Sequence, residues 1–174
     1  LLDFDVVFVG EVHDSPVAHQ AELELLSGLS ERDPGLVLAL EMFDRDVQDV
    51  LDAYVKGEIP ADEFLSRSRP WPSYADDYRP LVELAKARGL PVVGASVPRR
   101  AAAAVARANE ISAEVLGEDG VFLPGKVHLG SRPYRKRFMD IMADMPRRAP
   151  MRGMNADGLY KAQVLKDAVM AASL

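Results

Sequence analysis

Cysteine is absent from the 174 residues. That excludes disulfides, thiolate zinc sites, iron–sulfur clusters and covalent cofactor attachment through C-x-x-C-H, so any metal must be met by His, Asp, Glu or Tyr. No apolar run reaches the roughly 18 residues of a membrane span, and no signal peptide is visible. The chain begins at Leu1 rather than Met, and localisation stays open on sequence grounds. Basic charge is in the minority, 21 Lys plus Arg against 27 Asp plus Glu for a net −6. Such a balance offers no field to draw in nucleic acid, and none is expected as a partner. Tryptophan occurs once. Internal repeats, low-complexity tracts and heptad runs are missing as well.

What is present suits one folded domain, expected over residues 1–174. Hydrophobic residues make up 48% and charged residues 28%, ordinary globular usage, at a length that a single core can serve. Asp3 to Val9 (DFDVVFV) is a short apolar, β-branched run ending at Gly10 and reads as a buried strand. Asp14 or Ser15 then caps a helix with Pro16 at its first position, running to about Ser30 with Ala18, Ala21, Leu25 and Leu29 facing inward. Gly35 to Leu40 reads as a second strand, so the opening is a strand–helix–strand unit with a parallel pair.

Further along, Asp46 to Lys56 reads as a helix stopped by Gly57, and Pro60 opens a short helix through Leu65. Arg69 to Tyr74 is proline-broken, a helix spans about Asp76 to Arg88, and Pro91 to Val97 makes a third strand. The alanine-rich stretch Arg99 to Ala108 is helical. Gly117 to Ser131 reads as a loop. Two last helices, Pro133 to Met145 and about Asn155 to Ala172, are separated by the basic linker Pro146 to Gly153. The class is α/β: a mostly parallel sheet flanked by helices, with a helical C-terminal half.

In such sheets ligands bind beyond the carboxyl ends of the strands. The first strand end offers Glu11 and His13, the second Glu41, Met42 and Phe43, the third Ser96, Arg99 and Arg100. Carboxylates that end apolar strands demand a cation, a metal or hydrogen-bond donors. A Glu41–Arg99 ion pair and a capping role for Glu11 are the structural alternatives. His13 can ligate a metal or shuttle a proton. His19 lies in the first turn of the following helix, either turned to the same rim or solvated. Trp71, Tyr74 and Tyr78 cluster with Phe43 as packing, or as a binding wall in which a phenol serves as oxygen ligand to ferric iron. His128 reads as a surface residue.

Taken in order, Gly10-Glu11-Val12-His13-Asp14 with His19-Gln20, Glu41-Met42-Phe43, Trp71 with Tyr78-Arg79-Pro80, Pro98-Arg99, and Gln163-Val164-Leu165 followed by Asp167 and Met170-Ala171 resemble the ChaN family. That family is grouped with the Tiki proteases and erythromycin esterases. The resemblance implies a haem- or iron-binding protein of bacterial uptake, sometimes a lipoprotein at the cell envelope, with non-covalent haem enclosed between two copies of the chain. Carried onto this sequence it makes Tyr78 the first and Tyr74 the second axial ligand. Trp71 and Phe43 would wall the macrocycle, and Arg99 or Arg100 would meet the propionates. Tyr78, His13 and His19 are the candidate metal ligands, a divalent metal being the other cofactor considered.

The wider group implies a second reading, a hydrolase, metal-assisted or Glu/His-dependent, in which Glu11, His13 and Glu41 are catalytic. Its second G-x-x-H motif is expected after the last helix, past Leu174, so a truncated chain or a completing partner is expected. Gly125-Lys126-Val127-His128 fits that pattern only literally. Ser96 stands near where the family carries Asn, a departure that removes an amide contact.

Overall fold

The computed structural model describes residues 1–144 and 155–174. The expected basic linker, Pro146 to Gly153, lies outside the described residues. Helix α1 (Pro16–Ser30) is followed by strand β1 (Leu38–Asp44), α2 (Gln48–Val55), α3 (Ala61–Ser68), α4 (Tyr74–Asp77), α5 (Arg79–Arg88), strand β2 (Val92–Ser96), α6 (Arg99–Ala108), α7 (Ala113–Leu116), α8 (Arg132–Asp144) and α9 (Ala156–Ala172). The class is α/β, rich in helix, with a small parallel sheet in which β1 pairs with β2. The chain divides into two compact units, residues 1–43 with 47–94, and residues 44–46 with 95–174.

Local signals place most helix ends. Ser15 is the N-cap of α1, its hydroxyl accepting from the Ala18 amide, and Pro16 follows where a missing N–H costs nothing. Gly89 ends α5 at φ 67°, a left-handed turn that glycine adopts freely. Asn155 caps α9 by accepting from the Gly158 amide at 2.6 Å. The helix expected from Asp76 to Arg88 is broken at Tyr78 into α4 and α5, with Pro80 in the first turn of the second piece. The expected loop 117–131 begins with a 3-10 turn over Gly117–Phe122.

Two strand expectations are corrected. Asp3 to Val9 is not a strand: it pairs with no ladder, and Phe4, Phe8 and Val9 are exposed. Strand propensity is realised only where a neighbouring strand and a face to pack on are both supplied, and this run has neither among the described residues. The second strand spans Leu38–Asp44 rather than Gly35–Leu40. Glu41, Met42 and Phe43 therefore sit inside β1 instead of beyond its end. Leu40 and Met42 are buried on one face, and Phe43 is fully buried.

In the first unit the core gathers Phe43, Leu51, Phe64, Tyr78, Val82 and Ala85. Leu38 donates its amide to the Pro91 carbonyl at 3.0 Å, so alternate residues of β2 turn their backbone groups away from β1. Gln48 answers them: its amide nitrogen donates to the Val92 carbonyl at 2.8 Å, and its oxygen accepts from the Gly94 amide at 2.9 Å. One side chain thus stands in for a third strand on the free edge of the pair. Arg88, in the last turn of α5, closes the end of α1 by donating to the Ser27 carbonyl at 2.6 Å and to the Ser30 hydroxyl at 2.5 Å. A guanidinium there adds a second donor to a carbonyl that also accepts from the Glu31 amide, and it complements the negative end of the helix.

The second unit rests on α6 against α9. Ala101, Ala102, Val105 and Ala106 meet Ala162, Leu165 and Val169. Small residues let the backbones approach closely at Gly158, where a Cβ would stand 2.1 Å from the Ala106 carbonyl oxygen. Lys161 donates to the carbonyl of Asn109, the left-handed residue that ends α6, at 2.7 Å. Gly158→Ala is expected to destabilise the protein by about 1–3 kcal/mol, the usual cost of overpacking a closed contact. A lower midpoint in urea unfolding with an unchanged slope is the reading that checks it.

Candidate functional site

The site lies wholly in the first unit and is built around one carboxylate. Glu11 belongs to the irregular segment ahead of α1. A turn closed by the Ser15 amide on the Val12 carbonyl at 2.9 Å folds His13 back toward it. The Glu11 side chain is only 8% exposed. Its Oε1 lies 2.6 Å from His13 Nδ1 and accepts from the Tyr78 hydroxyl at 2.7 Å. Its Oε2 lies 3.1 Å from His19 Nε2, and the other nitrogen of that imidazole lies 3.1 Å from Asp77 Oδ1. An ionised carboxylate can only accept, so Nδ1 of His13 is the donor to Glu11 and Nε2 is the nitrogen left to face outward.

Helix α1 contributes two residues one turn apart on the same face, His19 and Glu22. His19 is buried, only 6% exposed, rather than solvated, and the buried face of α1 runs through His19, Leu26 and Ser30. The expected stripe is rotated by about one position, because Ala21 is exposed. Ligand atoms of Glu11, His19 and Glu22 all lie within 4.8 Å of one another. Both ring nitrogens of His19, Oε2 of Glu11 and Oε2 of Glu22 are buried without an aligned hydrogen bond. The contacts of His19 with Glu11 and Asp77 are thus close in distance but off the N–H axes.

Two carboxyl groups so near one another titrate apart. Burial raises the Glu22 carboxyl, the charge of Glu11 and a hydrogen bond with Glu11 add to the rise, and it is pushed up to about 7. Burial would raise Glu11 too, but hydrogen bonds from Tyr78, His13 and Glu22 outweigh it and hold that carboxyl below its ordinary value. Tyr78 is fully buried, and its phenol is pushed up by burial, by its hydrogen bond to Glu11 and by that group's charge. Of the pair, Glu22 holds its proton to higher pH and Glu11 carries the charge.

Aromatic edges line the outer side. Trp71 meets His13 edge-on with centroids 4.9 Å apart and meets Tyr78 at 5.9 Å, while the His19 and Tyr78 rings stand 5.2 Å apart. The His13 side chain is 54% exposed. Ahead of it the chain presents Phe4, Phe8, Val9 and Val12 to solvent.

Of the residues expected from sequence, Glu11, His13, His19, Trp71 and Tyr78 come together here. Tyr74 and Phe43 do not join them. They pack on each other with centroids 5.7 Å apart, beside Phe64. Tyr74 lines a separate hollow of about 350 Å³ with Tyr54, Phe64, Leu65, Arg79 and Glu83, and its hydroxyl is buried without a hydrogen bond. Burial pushes the Tyr74 phenol well above its usual range. Glu41 is half-buried within β1. Arg99 and Arg100 open α6 in the second unit, where the Arg99 amide donates to Asp44 at 3.4 Å and Arg100 spans Asp46 at 2.8 Å and Asp119 at 2.5 Å. His128 is exposed. Glu22 and Asp77 lie outside the sequence expectations. The His19-x-x-Glu22 spacing on a capped helix was the signal for the first, whereas nothing local marks Asp77.

The fold and this site define a helix-rich α/β protein with a buried acid–imidazole cluster beneath an aromatic rim. The chain belongs to the family described as haem-binding uptake, Tiki superfamily, ChaN, whose model matches residues 1–174. A solved structure of Campylobacter jejuni ChaN, described as showing cofacial haem binding, is similar in fold with a TM-score of 0.66 at 21% identity. The match covers 94% of this chain and 62% of that one, so this chain spans less than two thirds of its length. No curated protein matches the sequence significantly. Among the described residues no helix is long and apolar enough to cross a membrane.

The acid pair sets a pH dependence. Below about pH 4.5, the ordinary value, Glu22 is protonated in both folded and unfolded chains. As pH rises from there through about 7, the unfolded chain releases its proton first, so the stability held by the protonated group is progressively lost. Glu22→Gln is expected to flatten this decline in chelator-treated protein, measured as urea midpoints between pH 5 and pH 8. Identical pH slopes for the two proteins contradict it.

Proposed function

We propose that the chain binds haem non-covalently as a carrier of bacterial iron uptake, with the iron met by Nε2 of His13. The observation that carries this reading is the state of His13. Its ring is half exposed at the aromatic rim, its Nδ1 is engaged by a buried carboxylate, and its far nitrogen is the one turned outward to meet a metal. A carboxylate behind an imidazole fixes the tautomer and raises its basicity as a ligand. Glu11 therefore acts as the positioning residue for His13.

The residues present fit a flat macrocycle on this face. Trp71 offers an aromatic edge, and Phe8, Val9 and Val12 offer exposed apolar surface on the same stretch of chain as His13. The two tyrosines expected to ligate are less suited. Tyr78 is fully buried with its hydroxyl given to Glu11, and Tyr74 lies in the aromatic packing around Phe64. Membership of a haem-binding family supports the choice of ligand. The homodimer expected from the resemblance belongs to the same proposal, a second copy shielding the opposite face of the bound group and the exposed apolar run.

Titration with haemin is expected to give a saturable Soret band. His13→Ala should displace that band and weaken binding at least tenfold, whereas Tyr78→Phe should leave its position unchanged. Absence of saturable binding rejects the function, and a band that moves with Tyr78→Phe but not with His13→Ala rejects the assigned ligand. Size-exclusion chromatography with and without haemin tests the dimer, expected only in the loaded sample.

A further inference from the structure

We propose that Glu11, His19 and Glu22 form a second site, beneath the rim, that takes one first-row divalent cation, with Asp77 as the positioning residue behind His19. This set shares His19 and Glu11 with the residues considered for a metal from sequence and adds Glu22, which lies outside those expectations. It does not depend on the haem reading, with which it has only Glu11 in common.

Three observations converge on it. One ligand atom from each residue lies within 4.8 Å of the others. Metal–ligand bonds of about 2.0–2.2 Å put neighbouring ligand atoms roughly 3–4 Å apart, so closure by about an ångström completes the geometry. The second observation is the poor alignment of the polar contacts there. Oε2 of Glu11, Oε2 of Glu22 and Nε2 of His19 are buried and have mainly one another for company, without a well-aligned hydrogen bond, the His19 side chain being 6% and that of Glu11 8% exposed. Buried polar atoms in native proteins rarely lack partners, and one cation satisfies all three at once.

The third observation is the support around the ligands. Asp77 Oδ1 stands 3.1 Å from His19 Nδ1, the carboxylate–histidine arrangement that aims the opposite nitrogen at a metal. Tyr78 and His13 hold Oε1 of Glu11, leaving Oε2 turned to the site. His19 and Glu22 ride one turn apart on a helix whose start is fixed by the Ser15 cap and Pro16. The donor set is one imidazole and two carboxylates without thiolate, which suits zinc, cobalt, manganese or ferrous iron. Three protein ligands leave at least one coordination position open, the pattern of a site that binds a further small molecule or water.

The test uses chelator-stripped, haem-free, full-length protein titrated with Co²⁺. One equivalent is expected to bind with visible d–d absorption, and Zn²⁺ is expected to displace it. His19→Gln and Glu22→Gln should each weaken binding at least a hundredfold, with circular dichroism confirming that the variants fold. Asp77→Asn should retain one equivalent but weaken it about tenfold, as outer partners of metal ligands do. Haemin binding is expected to survive in His19→Gln, which separates this site from the rim. No bound Co²⁺, or binding indifferent to both His19→Gln and Glu22→Gln, overturns the proposal. Should either variant fail to fold, Co²⁺ binding that is equally tight in wild type and Asp77→Asn overturns it as well.

Discussion

A single desolvated carboxylate organises the first unit's chemistry. Glu11 is almost wholly buried, and an anion in that position must be compensated by donors or a cation. Most of its partners are near in sequence, His13 from the turn ahead of α1 and His19 and Glu22 from α1, whereas Tyr78 comes from the distant break between α4 and α5. They are placed by the Val12–Ser15 turn, by the Ser15 cap that continues it, and by the helix break beside Pro80. Loss of the charge on Glu11 would leave the Tyr78 hydroxyl and the His13 ring without their common acceptor.

That carboxylate also faces two ways. Oε1 is occupied by Tyr78 and by His13, whose ring reaches the exposed aromatic rim, while Oε2 looks inward to His19 and Glu22. The outward half orients an imidazole at the surface. The inward half is an incompletely satisfied cluster, and its two carboxyl groups titrate apart, Glu22 upward and Glu11 downward, because their charges compete at short range. One residue thereby couples the rim to the interior without any moving part.

Much of this was readable along the chain. The cap at Ser15, the stop at Gly89, the alanine-rich helix from Arg99 and the cap at Asn155 are local events, decided within a few residues by φ preferences and orphan backbone groups. The G-E-x-H stretch marked Glu11 and His13, and the order of motifs along the chain identified the family. Failures arose where a partner had to be supplied from elsewhere. Asp3 to Val9 has strand composition but no ladder to join, and β1 continues through Glu41 to Asp44 although the apolar run had ended at Leu40.

Sequence by itself determined the residue types available for chemistry, the exclusion of thiolate centres, and the helices whose ends are chemically marked. Tertiary structure alone decided that His19 is buried rather than solvated, that Tyr78 gives its hydroxyl to Glu11, and that Glu22 and Asp77 belong to the same cluster. The physical reason is range. Caps and turns are settled by interactions between neighbours in the chain, whereas a buried charge takes as partner whichever group the packing brings within a few ångströms of it, and for Tyr78 and Asp77 no local pattern encodes that group.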